Sequence, residues 1–291
     1  MADDILVKEG YMYGEWRKAV NAAARAGAGS IHDDATGKKV GMRGGVVAGT
    51  VHHDIFPPLM LEVFGQRWFE QGSISLFYLY ALLAGEELRG VVQIPPPHAQ
   101  NIQVQVRLEG KDGHKIAEGT ASVGKPKEKS HLQAMEITSA GKEERRILKA
   151  FDVGMDMVQN EAIITKKEVE ANLPLFEDTI PWYSDDSPWG GSLVPNSWIY
   201  RFAHMPRNIV QGVGFFGANE IQFVNGPIKA DVPYVCKGKI IAVGVTKRTE
   251  YFWHDSQINE KGSNKLVATI RHMNRFMKQG SPLYPEIPAG T

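Results

Sequence analysis

The sequence predicts an α+β protein made twice from one plan, a long central helix wrapped by a curved antiparallel sheet. Three observations predict it. The chain has 291 residues, enough for about two domains of ordinary size. Apolar segments with helical spacings of three and four are followed by runs of alternating apolar residues, the pattern of half-buried strands. The order of segments also recurs. His32-Asp33-Asp34-Ala35, then Gly44-Gly45-Val46-Val47-Ala48, parallels Ser184-Asp185-Asp186-Ser187, then Gly190-Gly191-Ser192-Leu193-Val194.

Taken in order, residues 11–25 have helical composition, with Val20, Ala23 and Ala24 among charges and breakers at Gly27 and Gly29. After a polar loop and the glycine pair at 44 and 45, residues 51–70 carry Met60, Leu61, Val63, Phe64 and Trp68 at helical spacing. Pro57-Pro58 must sit in the first turn of that helix or break it. Alternation then takes over at Ile74, Leu76, Tyr78, Tyr80 and Leu82, at Val91 to Ile94, and at Ile102, Val104, Val106 and Leu108. Asp112-Gly113 reads as the tip of a hairpin. The charged stretch 126–164 reads as a linker or surface excursion between a first unit, 1–125, and a second, 165–291. Thr165 and Glu168 match a capping box opening a short helix. A second helix candidate holds Trp198, Ile199, Tyr200 and Phe202. Strands are expected over 220–223, 230–239, 240–253 and 266–277, with turns at Gly226-Pro227 and Lys237-Gly238.

The balance of charge narrows the function. With 33 Lys plus Arg against 33 Asp plus Glu, the net charge is zero, so a global electrostatic hold on nucleic acid or an anionic membrane is not expected. One cysteine, Cys236, excludes an internal disulfide and any multi-cysteine metal site. It reads as a small core residue. No segment approaches the ~20 apolar residues of a membrane span. The start Met1-Ala-Asp-Asp-Ile lacks a signal peptide's basic and apolar regions, so the expected location is cytoplasmic. No phosphate-binding glycine motif supports nucleotide chemistry.

A long helix on a curved antiparallel sheet, duplicated, is the plan of two fused hot dog units. The segment SIHDDATGKKVGMRGGVVAG, residues 30–49, resembles the hydratase motif of MaoC-like, (R)-specific enoyl-CoA hydratases and dehydratases. His32-x-Asp34 matches its front, and Gly41 to Gly49 its back, with a spacer about one residue shorter. The chain departs from that family where an Asp stands five positions before the His and Asn-Pro lies between. Gly27, Gly29 and Ser30 occupy those places here.

The resemblance implies reversible hydration of an enoyl thioester, or dehydration of a 3-hydroxyacyl thioester, on coenzyme A or a carrier protein. It implies His32 as the acid/base group with Asp34 or Asp33 beside it. The alternative for His32-Asp33-Asp34 is a solvated turn and helix cap. Gly49, with Gly44 and Gly45 letting the backbone approach, is expected to present helix N-terminal N–H groups to the thioester carbonyl. His52, His53 and Asp54 form a rival constellation at the helix start, from which one side chain could face a cleft beside Gly49, and Asp54 or Glu62 would serve a thioesterase instead. Tyr183 and Trp189 are candidates for the pocket wall or the core. Because Ser184 stands where His32 does, one competent site is expected, to which the second half gives a wall or a carboxylate reaching across. No cofactor or metal is called for. The fused pair already supplies the pairing single hot dogs obtain by dimerising, and a homodimer or hetero-oligomer stays open. A catalytically silent acyl-binding or partner subunit is the reading from a different class.

Overall fold

The computed structural model describes residues 6–205, 210 and 212–290, the side chain of Arg25 excepted; the start at residues 1–5 lies outside them. The chain opens with three short strands, β1 (Leu6–Lys8), β2 (Tyr11–Tyr13) and β3 (Arg17–Lys18), and a 3-10 turn at Ala22–Ala26. The helix expected over 11–25 is therefore corrected to edge strands. Aromatic residues decide this: Arg89 lies over the rings of Tyr13 (4.6 Å) and Trp16 (4.4 Å), and Arg107 over Tyr11 (5.0 Å), contacts available only when the segment pairs with the sheet.

After the short helix α1 (Asp34–Lys39), a 3-10 segment at Gly49–Ile55 runs into α2 (Phe56–Phe64), and α3 (Arg67–Gln71) follows a break at Gly65, whose φ is +66°. Pro57 and Pro58 sit in the first turn of α2, as expected. They lack N–H groups, so the residues before them cannot close α-helical hydrogen bonds to them, and the entry is wound as 3-10 instead.

Four antiparallel strands complete the first half: β4 (Gly72–Tyr78), β5 (Glu87–Gln93), β6 (Ile102–Gly110) and β7 (Lys115–Val123). β4 leaves the sheet after Tyr78, before the alternation through Tyr80 and Leu82 ends. Residues 126–164 hold the short helix α4 (His131–Ala134), which buries Leu132, and the strand β8 (Asn160–Ile163). α5 (Lys166–Asn172) starts at Thr165 with both hydrogen bonds of the expected capping box in place.

The second helix candidate is short: α6 (Asn196–Ile199) and a 3-10 turn at Tyr200–Phe202, after which Ala203 is extended. Four long strands follow, β9 (Gly214–Phe223), β10 (Pro233–Val245), β11 (Thr249–Glu260) and β12 (Leu266–Met277). The turn expected at Lys237-Gly238 lies inside β10. A Cβ on Gly238 would meet the Ser256 hydroxyl at 2.1 Å, so this glycine serves close strand approach. The chain turns at residues 246–248, where Thr246 Oγ1 accepts from the Arg248 and Thr249 N–H groups.

All the strands but β3, which pairs with β5, lie along one path, β1-β2-β5-β6-β7-β4-β9-β12-β11-β10-β8. From the β4–β9 seam outward, each half repeats the same order: the strand after the helix, then the last, the third and the second. That shared order is the duplication read from the sequence. Ile74 and Leu76 of β4 face the helices, in a core that joins Phe56, Met60 and Trp68 to Ile199, Phe202, Ile221 and Tyr234 across the seam. Phe77, next along the strand, faces the other way, with Leu132, Trp253 and Met273. The helix lies close on the sheet at Gly90, where a Cβ would meet Leu59 Cδ1 at 2.8 Å and Ile55 Cγ2 at 2.9 Å. Gly90→Val is expected to cost about 1–3 kcal/mol through overpacking, read as a lower urea midpoint; an unchanged midpoint would show that the helix rides higher. Among the described residues no helix is long and apolar enough to cross a membrane.

Candidate functional site

The loop before α1 and the glycine segment lie against each other. The Val46 N–H donates to the Ile31 carbonyl (3.1 Å), and Asn21 Nδ2 donates to the His32 carbonyl (2.9 Å). Gly45 is required for this approach, since a Cβ there would meet the His32 carbonyl oxygen at 2.4 Å; one on Gly44 would meet Asp34 Oδ1 at 2.5 Å. Gly44 and Gly45 thus shape the loop that carries His32.

His32 Nδ1 is 2.7 Å from the Val46 carbonyl oxygen. A carbonyl only accepts, so Nδ1 carries the proton and Nε2 keeps a free lone pair. Burial lowers the imidazole's pKa, with the Val46 bond opposing, so the ring is neutral at neutral pH. It lines a cavity of about 530 Å³ together with Gly49, His52 and Tyr78 of the first half and Phe216 and Arg275 of the second. At Gly49 the backbone approaches the Tyr78 ring so closely that a Cβ would lie 2.6 Å from it. Gly49 opens the 3-10 segment, and its N–H has no acceptor among the described residues. The structure brings His32 and Gly49 to one cavity.

The two aspartates beside His32 have other work. Asp33 is the N-cap of α1: its Oδ2 accepts from the Thr36 N–H (2.9 Å) and hydroxyl (2.8 Å), which hold its pKa down. Asp34 is exposed, pairs with Lys38 at 2.8 Å and accepts from the Gly45 N–H at 3.3 Å. Neither lines the cavity.

His53 and Asp54 point into the protein. Burial pulls the His53 pKa down to about 3, with His52 adding to the effect, and the Tyr200 hydroxyl lies 3.4 Å from its Nε2. Asp54 is fully buried. Its Oδ1 accepts from the Ser197 N–H at the start of α6 (3.0 Å), and burial holds its carboxyl protonated far above the usual range, against that bond and with Glu177 and Asp178 adding to the rise. Glu62 is exposed near Pro95 and Gln100. Tyr183 is buried against Phe176, and Trp189 packs on Trp182 and Phe69 while its Nε1 donates to Glu70 (2.8 Å). None of these lines the His32 cavity. Burial raises the Cys236 thiol to about 12, which makes it an inert core group.

The carboxylate that reaches this region is Glu177 of the second half. Its oxygens lie 2.8 and 2.9 Å from His52 Nδ1, and both side chains are almost wholly buried. The sequence signal for it is faint: Glu177-Asp178 is an acidic pair set in an apolar stretch with Leu175, Phe176 and Ile180. Among the described residues, no group of three or more His, Cys, Asp or Glu is placed to hold a metal ion.

No family model matches the chain, and no curated protein matches it by sequence. Solved structures do match it. A MaoC domain protein named as a dehydratase, from Chloroflexus aurantiacus J-10-fl, aligns with a TM-score of 0.61 and 11% identity, over 91% of this chain and 95% of its own. A Mycobacterium tuberculosis protein with a double hotdog fold aligns at 0.60 and 12% identity, over 93% and 97%. A MaoC-like dehydratase aligns at 0.52 and 14% identity, over 90% and 97%. Identities this low speak to architecture, and the repeated strand order agrees with them: the chain is a double hot dog fold, two hot dog units in one polypeptide.

Proposed function

We propose that the cavity is an acyl-thioester site at which an enoyl thioester is reversibly hydrated, with His32 as a proton-transfer group. The observation that carries this is His32 itself. A neutral imidazole with its tautomer fixed by Val46 offers Nε2 to the same cavity in which the helix entry at Gly49 is exposed. Hydration needs a base for water, an acid for the neighbouring carbon, and donors for the enolate-like oxygen. His32 Nε2 meets the first need. The Gly49 N–H, at the positive end of a helical segment, meets the third. The activity of the proteins of like fold named as dehydratases points the same way. The thioesterase carboxylates expected from the sequence are poorly placed, Asp54 buried and protonated and Glu62 exposed on the far side of α2.

The test is incubation with crotonyl-CoA and with longer and aryl enoyl-CoAs, following enone absorbance and free thiol together. Loss of absorbance without thiol release is the expected result. Thiol release alone would make the chain a thioesterase, and silence across the series at high protein concentration would favour a binding role.

A further inference from the structure

Hydration moves two protons. Asp33 and Asp34 are occupied outside the cavity, so neither serves the neighbouring carbon. Resting on the thioester reading of this cavity, we infer that His52, backed by Glu177 from the other half of the molecule, is the second proton-transfer group of the site.

His52 stands three residues after Gly49 in a 3-10 segment, where residues i and i+3 eclipse, so both present to the same cavity. Its Nδ1–H donates to the Glu177 carboxylate. Nε2 is then the ring atom left for the cavity, and it has no protein partner among the described residues. The carboxylate fixes ring and tautomer, the arrangement that makes an imidazole effective in proton transfer. Such a pair is a poor way to gain stability, since desolvating both groups offsets much of their attraction and well-packed apolar residues would serve as well. To act as the donor the ring carries a proton on Nε2 as well as on Nδ1, and the facing carboxylate balances that charge. Tyr78 adds a buried hydroxyl with no partner among the described residues, its ring centroid 6.4 Å from that of His52. Burial, reinforced by Glu177, keeps that hydroxyl protonated.

Water gives a proton to His32 Nε2 as its oxygen bonds to C3. The C2=C3 electron pair moves toward the thioester, whose oxygen is held by the Gly49 N–H. C2 then takes a proton from His52 Nε2, and the proton on His32 returns to the His52–Glu177 pair through solvent water. Glu177 acts through His52 and is a positioning residue. Behind the ring are Glu177 of the second half, with Asp178 paired to Arg17 next to it in sequence, and His53 and Asp54 on its own segment; on the cavity side are His32, Tyr78 of β4, Lys247, Arg248 and Arg275. His53 stays neutral and Asp54 protonated.

Crotonyl-CoA hydration by wild type, His52→Gln and Glu177→Gln across a pH series tests the pair, with thermal unfolding recorded for each. The expected result is a loss in kcat of about 10²-fold or more for His52→Gln, a smaller loss for Glu177→Gln, KM within a few-fold of wild type, and disappearance of the proton donor's limb of the pH profile. Should His52→Gln not fold, Glu177→Gln, which keeps the shape and an acceptor for Nδ1–H, carries the test. Wild-type kcat and an unaltered pH profile in the folded variants would overturn the assignment of His52 and leave the thioester reading standing. A wild-type protein that hydrates no enoyl thioester overturns both.

Discussion

His32→Ala is expected to lower hydration of an enoyl thioester by about 10²–10⁴-fold, the usual contribution of a positioned acid/base group, while leaving the fold in place. The imidazole is only partly buried, and its one side-chain hydrogen bond is to the Val46 carbonyl. Losing a bond of that kind costs about 1 kcal/mol. Parallel measurement of turnover and thermal unfolding separates the two effects. An equal collapse of both would make His32 a structural residue, and retained turnover would remove it from the chemistry.

Mild acid is expected to destabilise the protein steeply. His53, His254 and His272 are fully buried and neutral: burial lowers His53 to about 3 and His254 to about 4, and it holds His272 well below the ordinary value. His254 and His272 stand side by side, ring centroids 5.3 Å apart, along a second cavity of about 500 Å³. The unfolded chain takes up protons at these rings near pH 6.5, whereas the folded chain does not. Their contribution is therefore fully present above that pH and is lost as pH falls toward the folded values. Each imidazole costs about 1.4 kcal/mol per pH unit in that window. Asp54 and Asp178 work in the opposite sense, because burial raises both and folding binds their protons. Three rings against two carboxyls leave a net fall in stability as pH drops from 6 to 4.5, on the order of 1 kcal/mol per pH unit at the acid end. Unfolding free energies from urea titrations over that range check this. Asp54→Asn, which removes one opposing group, should steepen the slope. A flat profile would show that the rings are hydrated or charged in the folded protein.

Much of the fold was legible because its signals are local. Strand alternation, the Asp112-Gly113 hairpin tip, the Thr165 capping box and the two prolines at the entry to α2 each act within a few residues, and each is where the pattern put it. The errors lie where tertiary contacts outweigh local composition. Residues 11–25 look helical until Arg89 and Arg107 draw their aromatic rings onto the sheet. Gly238 looks like a turn until Ser256 of the neighbouring strand is seen against it.

The site divides in the same way. His32 and Gly49 lie on one continuous motif, and the structure places both on one cavity. Asp33 and Asp34 belong to the same motif segment, but the first turn of α1 claims one and Lys38 the other. Glu177 is 125 residues from the histidine it holds. Only the meeting of the two halves brings them together, so a carboxylate reaching across was foreseeable as a kind of residue and not as a position.

The most direct measurement is the structure of the protein with 3-hydroxybutyryl-CoA bound. The thioester oxygen is expected within hydrogen-bonding distance of the Gly49 N–H, with the C3 hydroxyl beside His32 Nε2 and C2 facing His52 Nε2. A thioester bound elsewhere, for instance in the cavity lined by His254 and His272, with the His32 cavity unoccupied, would contradict it.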